Sequence, residues 1–384
     1  MADQGSAAHR YLAGSGGSSA DQYYTFRRHC REQQYSDDCD RAGRLTGAQA
    51  VVCKLIESFA SKPETNLASQ GPGFSYRCYG IGMMLKELGR TGVRIPEVGM
   101  GTHDYHGGSW PLRRGLESGA LFIDTAESYG TEAVVGQAVR GIRERVFIAT
   151  KVSPEHLRPT DLRRSVDASL LRLGVDRIDL LQLHQPNPAI SIEETMGALG
   201  ELVDVGKIRF CGVSNFSVDQ LRDAQKVLRR HAVVSNQVRF NLIDRTIETG
   251  LLQYCQAERI TVIAYSPLAR SLGRIMDCDP YGTIRGIARA NGKSAAQIAI
   301  NWCLCRDGVV AIPKSGSQEH VVENCNASDW RLSAEQIALL DATIQYRHRN
   351  WFDQFARQSM PRPLQDMAAR VVRFLPRSLR RRVL

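Results

Sequence analysis

The chain has 384 residues, 43% hydrophobic and 23% charged, an ordinary composition for a folded protein and a length sufficient for one large domain or two smaller ones. No apolar run approaches the roughly 20 residues needed to cross a membrane, and the N-terminal stretch MADQGSAAHRYLAGSGGSSADQYY lacks the apolar core of a secretory signal. The formal net charge is +10, but residues 347–384 hold ten Arg against two Asp and residues 1–82 are near neutral; the remaining 264 residues carry about +1, which argues against a nucleic-acid-binding body.

Residues 1–82 are rich in Gly, Ser, Gln and charge, with one candidate helix in GAQAVVCKLIESFA. We expect a poorly ordered N-terminal extension there, or a consequence of the start codon chosen, because Met83 and Met84 immediately precede the regular pattern. The ten cysteines contain no CxxC, and Cys303 and Cys305 form only a CxC, so free thiols in a reducing cytoplasm are expected.

From residue 83 to about 343, short apolar runs alternate with helical periodicity. LKEL and VRIP flank GRTG and predict a small hairpin. Eight runs then predict buried strands: 98–102, 121–125, 146–150, 178–184, 208–214, 232–237, 261–266 and 309–315. Nearly every run is followed by an amphipathic stretch. TDLRRSVDASLLRLG places Leu162, Val166, Leu170 and Leu171 on one stripe, and Ser191 with Glu194 predicts a capping box. Eight strand–helix units predict an α/β fold of the (β/α)8 TIM-barrel type, capped by the hairpin and flanked by flexible terminal extensions. No GxGxxG follows any of the strands, which argues against a Rossmann domain.

In such a barrel the C-terminal strand ends carry the chemistry. Here they end in Asp124, Lys151, His184, Ser214 with Asn215, Asn236 with Gln237, Tyr265 with Ser266, and Lys314 with Ser315. Desolvating Lys and His at the ends of apolar strands is costly without partners, and seven polar ends together indicate one shared pocket. Tyr129 follows Asp124 by five residues. A neighbouring Lys lowers a phenol's pKa, and an Asp fixes that Lys. The phenol then becomes a usable general acid, with a neutral His donating a hydrogen bond to the same oxygen. This foursome suits proton delivery to an oxygen gaining negative charge, not hydrolysis. His103 and His106 in HDYHGG have no carboxylate-rich or Cys-rich partner, so that segment is expected to be a plain loop without metal.

The motifs GMGT, IDTAESYG, ATKV, LLQLHQPNP, CGVSNFS, NQVRFNLIDR, AYSPLAR and AIPKSGSQEHVVEN occur in one order over about 260 residues. In this the middle region resembles the aldo-keto reductases. The resemblance implies a barrel that binds extended NADP(H), with NAD(H) as the alternative, and reduces an aldehyde or ketone to an alcohol. It implies Tyr129 as proton donor, Asp124 and Lys151 tuning it, and His184 orienting the carbonyl. It further implies Gly101 and Thr102 at the cofactor, Ser214, Asn215 and Gln237 on the carboxamide, and Tyr265 stacked on the nicotinamide. Ser266, Leu268 and Arg270 would line the pyrophosphate. Lys314 and Ser315 would meet the 2′-phosphate, with Glu323 and Asn324 near the adenine.

Two departures from the family pattern stand out. His320 occupies a position where the family often has Arg; a neutral imidazole offers one donor where Arg offers a charged fork. The preference for NADPH is therefore expected to be reduced, and to weaken as pH rises through the histidine range. Gln185 stands where many members carry Trp after the His, which polarises or widens one pocket wall. A small carbonyl compound is the expected partner and nucleic acid is not; oligomeric state stays open. The alternative function is a nucleotide-binding regulatory subunit with slow turnover, similar to the potassium-channel β-subunits.

Residues 344–384 are a basic C-terminal tail. Leu364, Met367, Ala368, Val371, Val372 and Leu375 share a helical stripe, with Arg370, Arg373 and Arg377 largely off it and Pro376 ending it. Contact with an anionic membrane surface is the minor expectation for this segment, and a packed or solvated tail the major one. C-terminal segments in the family border the substrate pocket, which brings Trp351 and Phe352 within reach of it.

Overall fold

A computed structural model describes residues 82–228 and 230–346. The candidate helix in GAQAVVCKLIESFA, the amphipathic tail helix, and Trp351 and Phe352 lie outside the described residues. A hairpin of β1 (Leu85–Glu87) and β2 (Arg94–Pro96) comes first, paired antiparallel. Eight parallel strands follow: β3 (Met100–Gly101), β4 (Phe122–Asp124), β5 (Phe147–Val152), β6 (Ile178–Leu183), β7 (Ile208–Ser214), β8 (Val233–Arg239), β9 (Thr261–Tyr265) and β10 (Val309–Ile312).

Each strand pairs with the next in the chain, and β3 and β10 form the two ends of the sheet. Those ends meet: Val98 bridges Ala311, the Gly99 amide donates to the Ala311 carbonyl at 2.9 Å, and the Gly101 amide to the Pro313 carbonyl at 3.0 Å. The sheet is therefore a closed barrel, as the eight strand–helix units predict. Closure removes the exposed edges that a parallel sheet could not leave open.

Helices α1 (Ser109–Glu117), α2 (Glu132–Val139), α3 (Pro159–Leu173), α4 (Ile192–Asp204), α5 (Val218–Val227), α6 (Leu251–Ala257), α7 (Leu272–Met276), α8 (Thr283–Ala290), α9 (Ala295–Leu304), α10 (Gln318–Cys325) and α11 (Ala334–Thr343) connect or follow the strands. None of the described helices is long and apolar enough to cross a membrane. Serine opens several of them for a local reason. The Ser217, Ser294 and Ser333 hydroxyls each accept the amide three residues on, and Gln220, Gln297 and Gln336 return a side-chain bond. At α4 the expected box has only one arm. Ser191 accepts from the Glu193 and Glu194 amides, but its own hydroxyl donates to the Glu193 carboxylate rather than receiving help from Glu194.

Two apolar layers result. Phe122, Phe147, Ala149, Leu180, Val234, Ile263, Val310 and Ile312 fill the barrel interior, and Leu88 and Ile95 close its lower end from the hairpin side. The larger layer lies between barrel and helices. On α3, Leu162 and Val166 enter that layer and Leu170 is half-buried, but Leu171 is 83% exposed. It lies nine residues from Leu162, half a turn out of phase, and Leu173 is buried instead.

Polar side chains replace apolar ones towards the C-terminal ends of the strands. Strand alternation puts Asp124 above Phe122, Lys151 above Ala149, and Gln182 above Leu180. On β8 the register shifts opposite Cys211 and Gly212. Val234, the extra residue at the shift, faces the interior, and Gln237 reaches it three residues on. Asn236 consequently points the other way, where its amide donates to the Phe216 carbonyl at 2.9 Å. Of Asn236 and Gln237, expected together at this strand end, only Gln237 turns into the barrel interior.

Candidate active site

Asp124 and Lys151 meet at the top of the barrel interior, 2% and 1% exposed. The Lys151 Nζ donates to Asp124 Oδ1 at 2.5 Å and to the Thr125 carbonyl at 2.8 Å. Asp124 Oδ2 accepts from Gln237 Nε2 at 2.7 Å and Gln182 Nε2 at 3.1 Å. Each carboxylate oxygen is thereby satisfied, which a buried ion pair requires if it is to hold its geometry. Burial by itself would lower the Lys151 ammonium, but the Asp124 carboxylate and the Tyr129 phenol outweigh it and raise the pKa.

Tyr129 ends a short 3-10 turn, Glu127–Tyr129, just beyond β4. Its hydroxyl lies 3.4 Å from His184 Nε2, and Lys151 Nζ lies 4.8 Å from its ring centroid. The four residues predicted to act together are therefore brought together. Electrostatically the outcome differs from expectation. Burial raises the Tyr129 pKa, Lys151 opposes it, and burial wins. The phenol stays protonated near neutrality, the form a proton donor needs.

Around this centre the other candidates fall into two groups. The Ser214 hydroxyl donates to the Gln237 carbonyl at 2.9 Å and accepts from Asn215 Nδ2 at 3.0 Å. Asn215 Oδ1 accepts from the Tyr265 hydroxyl at 3.1 Å. Gln237 turns its amide nitrogen to Asp124 and to Gln182 Oε1, so it braces the carboxylate. The second group follows β9 and β10. Ser266, Ala269 and Arg270 have φ of 52°, 53° and 68°, and Asn215 has 62°. Left-handed backbone at non-glycine residues costs of order 1 kcal/mol or more each and concentrates at ligand-binding segments. Leu268 is half-buried against the outer apolar layer.

Beyond β10, Lys314 and His320 are exposed, and the Ser315 hydroxyl bonds within its own loop to Ser317. Glu323 is half-buried and Asn324 buried on α10. Gly101, Ser315 and Asn324 line one cleft at the barrel rim with Pro313 and Val321. A Cβ on Gly107 would sit 2.8 Å from the Gly316 Cα, so the loop after β3 approaches the loop after β10 as closely as backbone allows. Thr102, by contrast, turns its hydroxyl inward, donating to the Asp124 carbonyl at 3.0 Å and pairing with Thr131 at 2.9 Å.

Three features of the site escaped the sequence. Gln182 holds Asp124; a polar residue two before His184 in the apolar run IDLLQLH was the available signal. Glu127 is stapled to the loop beyond Lys151, its Oε1 accepting from the Ser153 amide at 2.6 Å and meeting His156 Nδ1 at 2.9 Å. His103, expected to lie in a plain loop, has its ring edge-on to Tyr129 at 4.9 Å and 88°. No group of three His, Cys, Asp or Glu side chains able to hold a metal occurs among the described residues.

Residues 111–345 match the aldo/keto reductase family. The chain is 38% identical over 261 residues to methylglyoxal reductase YeaE of Escherichia coli (strain K12), covering 65% of this chain and 91% of that protein. It is 34% identical over 258 residues to glyoxal reductase of Bacillus subtilis (strain 168), covering 66% and 90%. Its fold is similar to the crystal structure of an aldo/keto reductase from Klebsiella pneumoniae in complex with NADP and acetate. That likeness has a TM-score of 0.62 and 39% identity, and covers 67% of this chain and 94% of the other.

Proposed function

The chain belongs to the aldo/keto reductase family, and from that premise we propose that it reduces small aldehydes and dicarbonyls to alcohols with NADPH. The observation that carries the proposal is the buried Asp124–Lys151 pair with Tyr129 and His184 converging above it. The NADP of the Klebsiella relative supports the choice of cofactor, and the names of the two bacterial reductases support a glyoxal-type substrate.

The residues present suit an extended dinucleotide. Ser214, Asn215 and Gln237 offer polar groups to a carboxamide, and Tyr265 offers a ring to a nicotinamide. The segment from Ser266 through Leu268 to Arg270, left-handed at Ser266, Ala269 and Arg270, suits a pyrophosphate. Lys314, Ser315 and His320 offer charge and donors to a 2′-phosphate, with Glu323, Asn324 and Gly101 bordering the adenosine half. The bound nicotinamide supplies the hydride.

The protein's own part is the proton and the field. Tyr129 donates its hydroxyl proton to the carbonyl oxygen as negative charge develops there. Lys151, fixed by Asp124, stabilises the phenolate left behind. His184 aligns the same oxygen from the other side. The buried pair is already ordered, so little reorganisation accompanies the step.

The test compares wild type with Tyr129→Phe, following NADPH oxidation with a panel of aldehydes, ketones and dicarbonyls. Wild type turns over, and the variant loses about 10³-fold or more in kcat while still quenching NADPH fluorescence. Tight NADPH retention without turnover by wild type would instead favour the regulatory-subunit alternative.

A further inference from the structure

His103 packs its ring against Tyr129, and the proton-delivery scheme leaves it unused. Two imidazoles flank the phenol edge-on: His184 with centroids 5.4 Å apart at 77°, and His103 at 4.9 Å and 88°. Lys151 covers the ring from a third direction. His184 stands at the hydroxyl, whereas His103 is exposed on the loop after β3.

The stem of His103 is fixed to the same loop that carries Tyr129. The Thr102 amide and hydroxyl both donate to the Asp124 carbonyl at 3.0 Å. The Thr102, Thr131 and Thr125 hydroxyls form a buried chain with links of 2.9 Å. One end of that chain is the residue before His103 and the other lies in the segment that bears Tyr129. The backbone entering His103 is therefore tied to the segment that carries Tyr129.

Partial burial of the ring and the charges around it favour the neutral form of His103. Burial lowers its pKa first, and Arg270, Lys151 and Lys314 lower it further against the single opposing carboxylate of Asp104. A neutral imidazole carries one N–H donor and needs no counter-ion. It is thus suited to a neutral carbonyl oxygen. His106 bonds Asp104 instead, and both are exposed.

We propose that His103 is a specificity-determining residue, donating a hydrogen bond to the second oxygen of a vicinal dicarbonyl while Tyr129 and His184 hold the reacting one. This rests on the reductase reading and names its substrate class: compounds with oxygens on adjacent carbons, such as glyoxal and methylglyoxal. Oxygens on neighbouring carbons lie a few ångströms apart, and the His103 ring centroid lies 4.9 Å from that of Tyr129. A monofunctional aldehyde leaves the His103 donor to water.

Methylglyoxal and propanal make the test, since both are three-carbon aldehydes and only one carries the second oxygen. The readout is the ratio of their kcat/KM values in wild type, His103→Phe and His103→Gln, with NADPH binding followed by fluorescence. Phe keeps a ring against Tyr129 and removes the donor; Gln returns a donor. The methylglyoxal-to-propanal ratio falls about tenfold in His103→Phe, the scale of one hydrogen bond, and recovers in part in His103→Gln. Turnover with an unchanged ratio in His103→Phe would overturn the subsite and leave the reductase intact. Failure of wild type to turn over either aldehyde while binding NADPH would overturn the reductase reading and the subsite with it.

Discussion

Replacing Glu127 by Ala tests whether the turn that carries Tyr129 is held from outside. The Glu127 side chain is 10% exposed, and its Oε1 accepts from the Ser153 amide at 2.6 Å and meets His156 Nδ1 at 2.9 Å. Ser153 is buried two residues beyond Lys151, so the carboxylate ties the Tyr129 turn to the Lys151 segment. Removing it leaves the Ser153 amide without its acceptor, which costs about 2 kcal/mol. For a body of this size that corresponds to a Tm lower by about 4–8 °C. The catalytic effect is expected to be larger than stability alone implies. A shift of about 1 Å in a positioned group lowers rate up to about 100-fold, so kcat falls about 10- to 100-fold with little change in NADPH affinity. Hydrogen exchange at residues 126–131 rises in parallel, including the Tyr129 amide that donates to Ala126. Glu127→Gln keeps an acceptor for Ser153 and recovers part of both losses. The pH sign is fixed as well. Burial raises the Glu127 pKa, but hydrogen bonds from Ser153 and His156 outweigh it and hold the carboxyl below its ordinary value of 4.5. A depressed acid stabilises the fold above its unfolded pKa and loses that contribution as pH falls through the folded one. The stability advantage of wild type over Glu127→Gln is therefore full above about pH 4.5 and shrinks on further acidification. A kcat in Glu127→Ala within about twofold of wild type, well short of the loss a displaced group gives, would refute the positioning argument, whatever happens to Tm.

Gln182→Leu removes one amide donor from the buried Asp124 carboxylate and the acceptor for Gln237. Urea unfolding should show a loss of about 1.5–3 kcal/mol with a lower kcat; an unchanged midpoint and rate would mean Lys151 and Gln237 alone fix Asp124. His320→Arg supplies the fork absent from this chain, and should raise the NADPH-over-NADH affinity ratio about tenfold, equivalent to about 1.4 kcal/mol. Equal ratios in the two proteins, measured by fluorescence titration, would place the residue 320 side chain out of reach of the 2′-phosphate.

The sequence by itself determined the barrel and the four residues at its centre. Strand alternation and helix periodicity are local properties, and eight apolar runs, seven of them ending in the polar residues named above, leave little freedom in topology. Asp124, Lys151 and His184 were legible because a charged or ionisable group ending an apolar strand has few other places to go. Tyr129 was legible from its spacing and from the motif around it. Tertiary structure alone decided what these groups do to one another. The β8 register shift sends Asn236 outward and Gln237 inward, and no local pattern reports a slip between two strands. The rise in the Tyr129 pKa is a balance between burial and Lys151 that depends on how far the ring is desolvated. His103 and Glu127 acquire their partners from loops on other strands, 26 residues away for His103–Tyr129 and 26 for Glu127–Ser153. Contacts of that kind arise only when the strands are placed side by side, because the chain carries no periodic signal that relates one loop to the next.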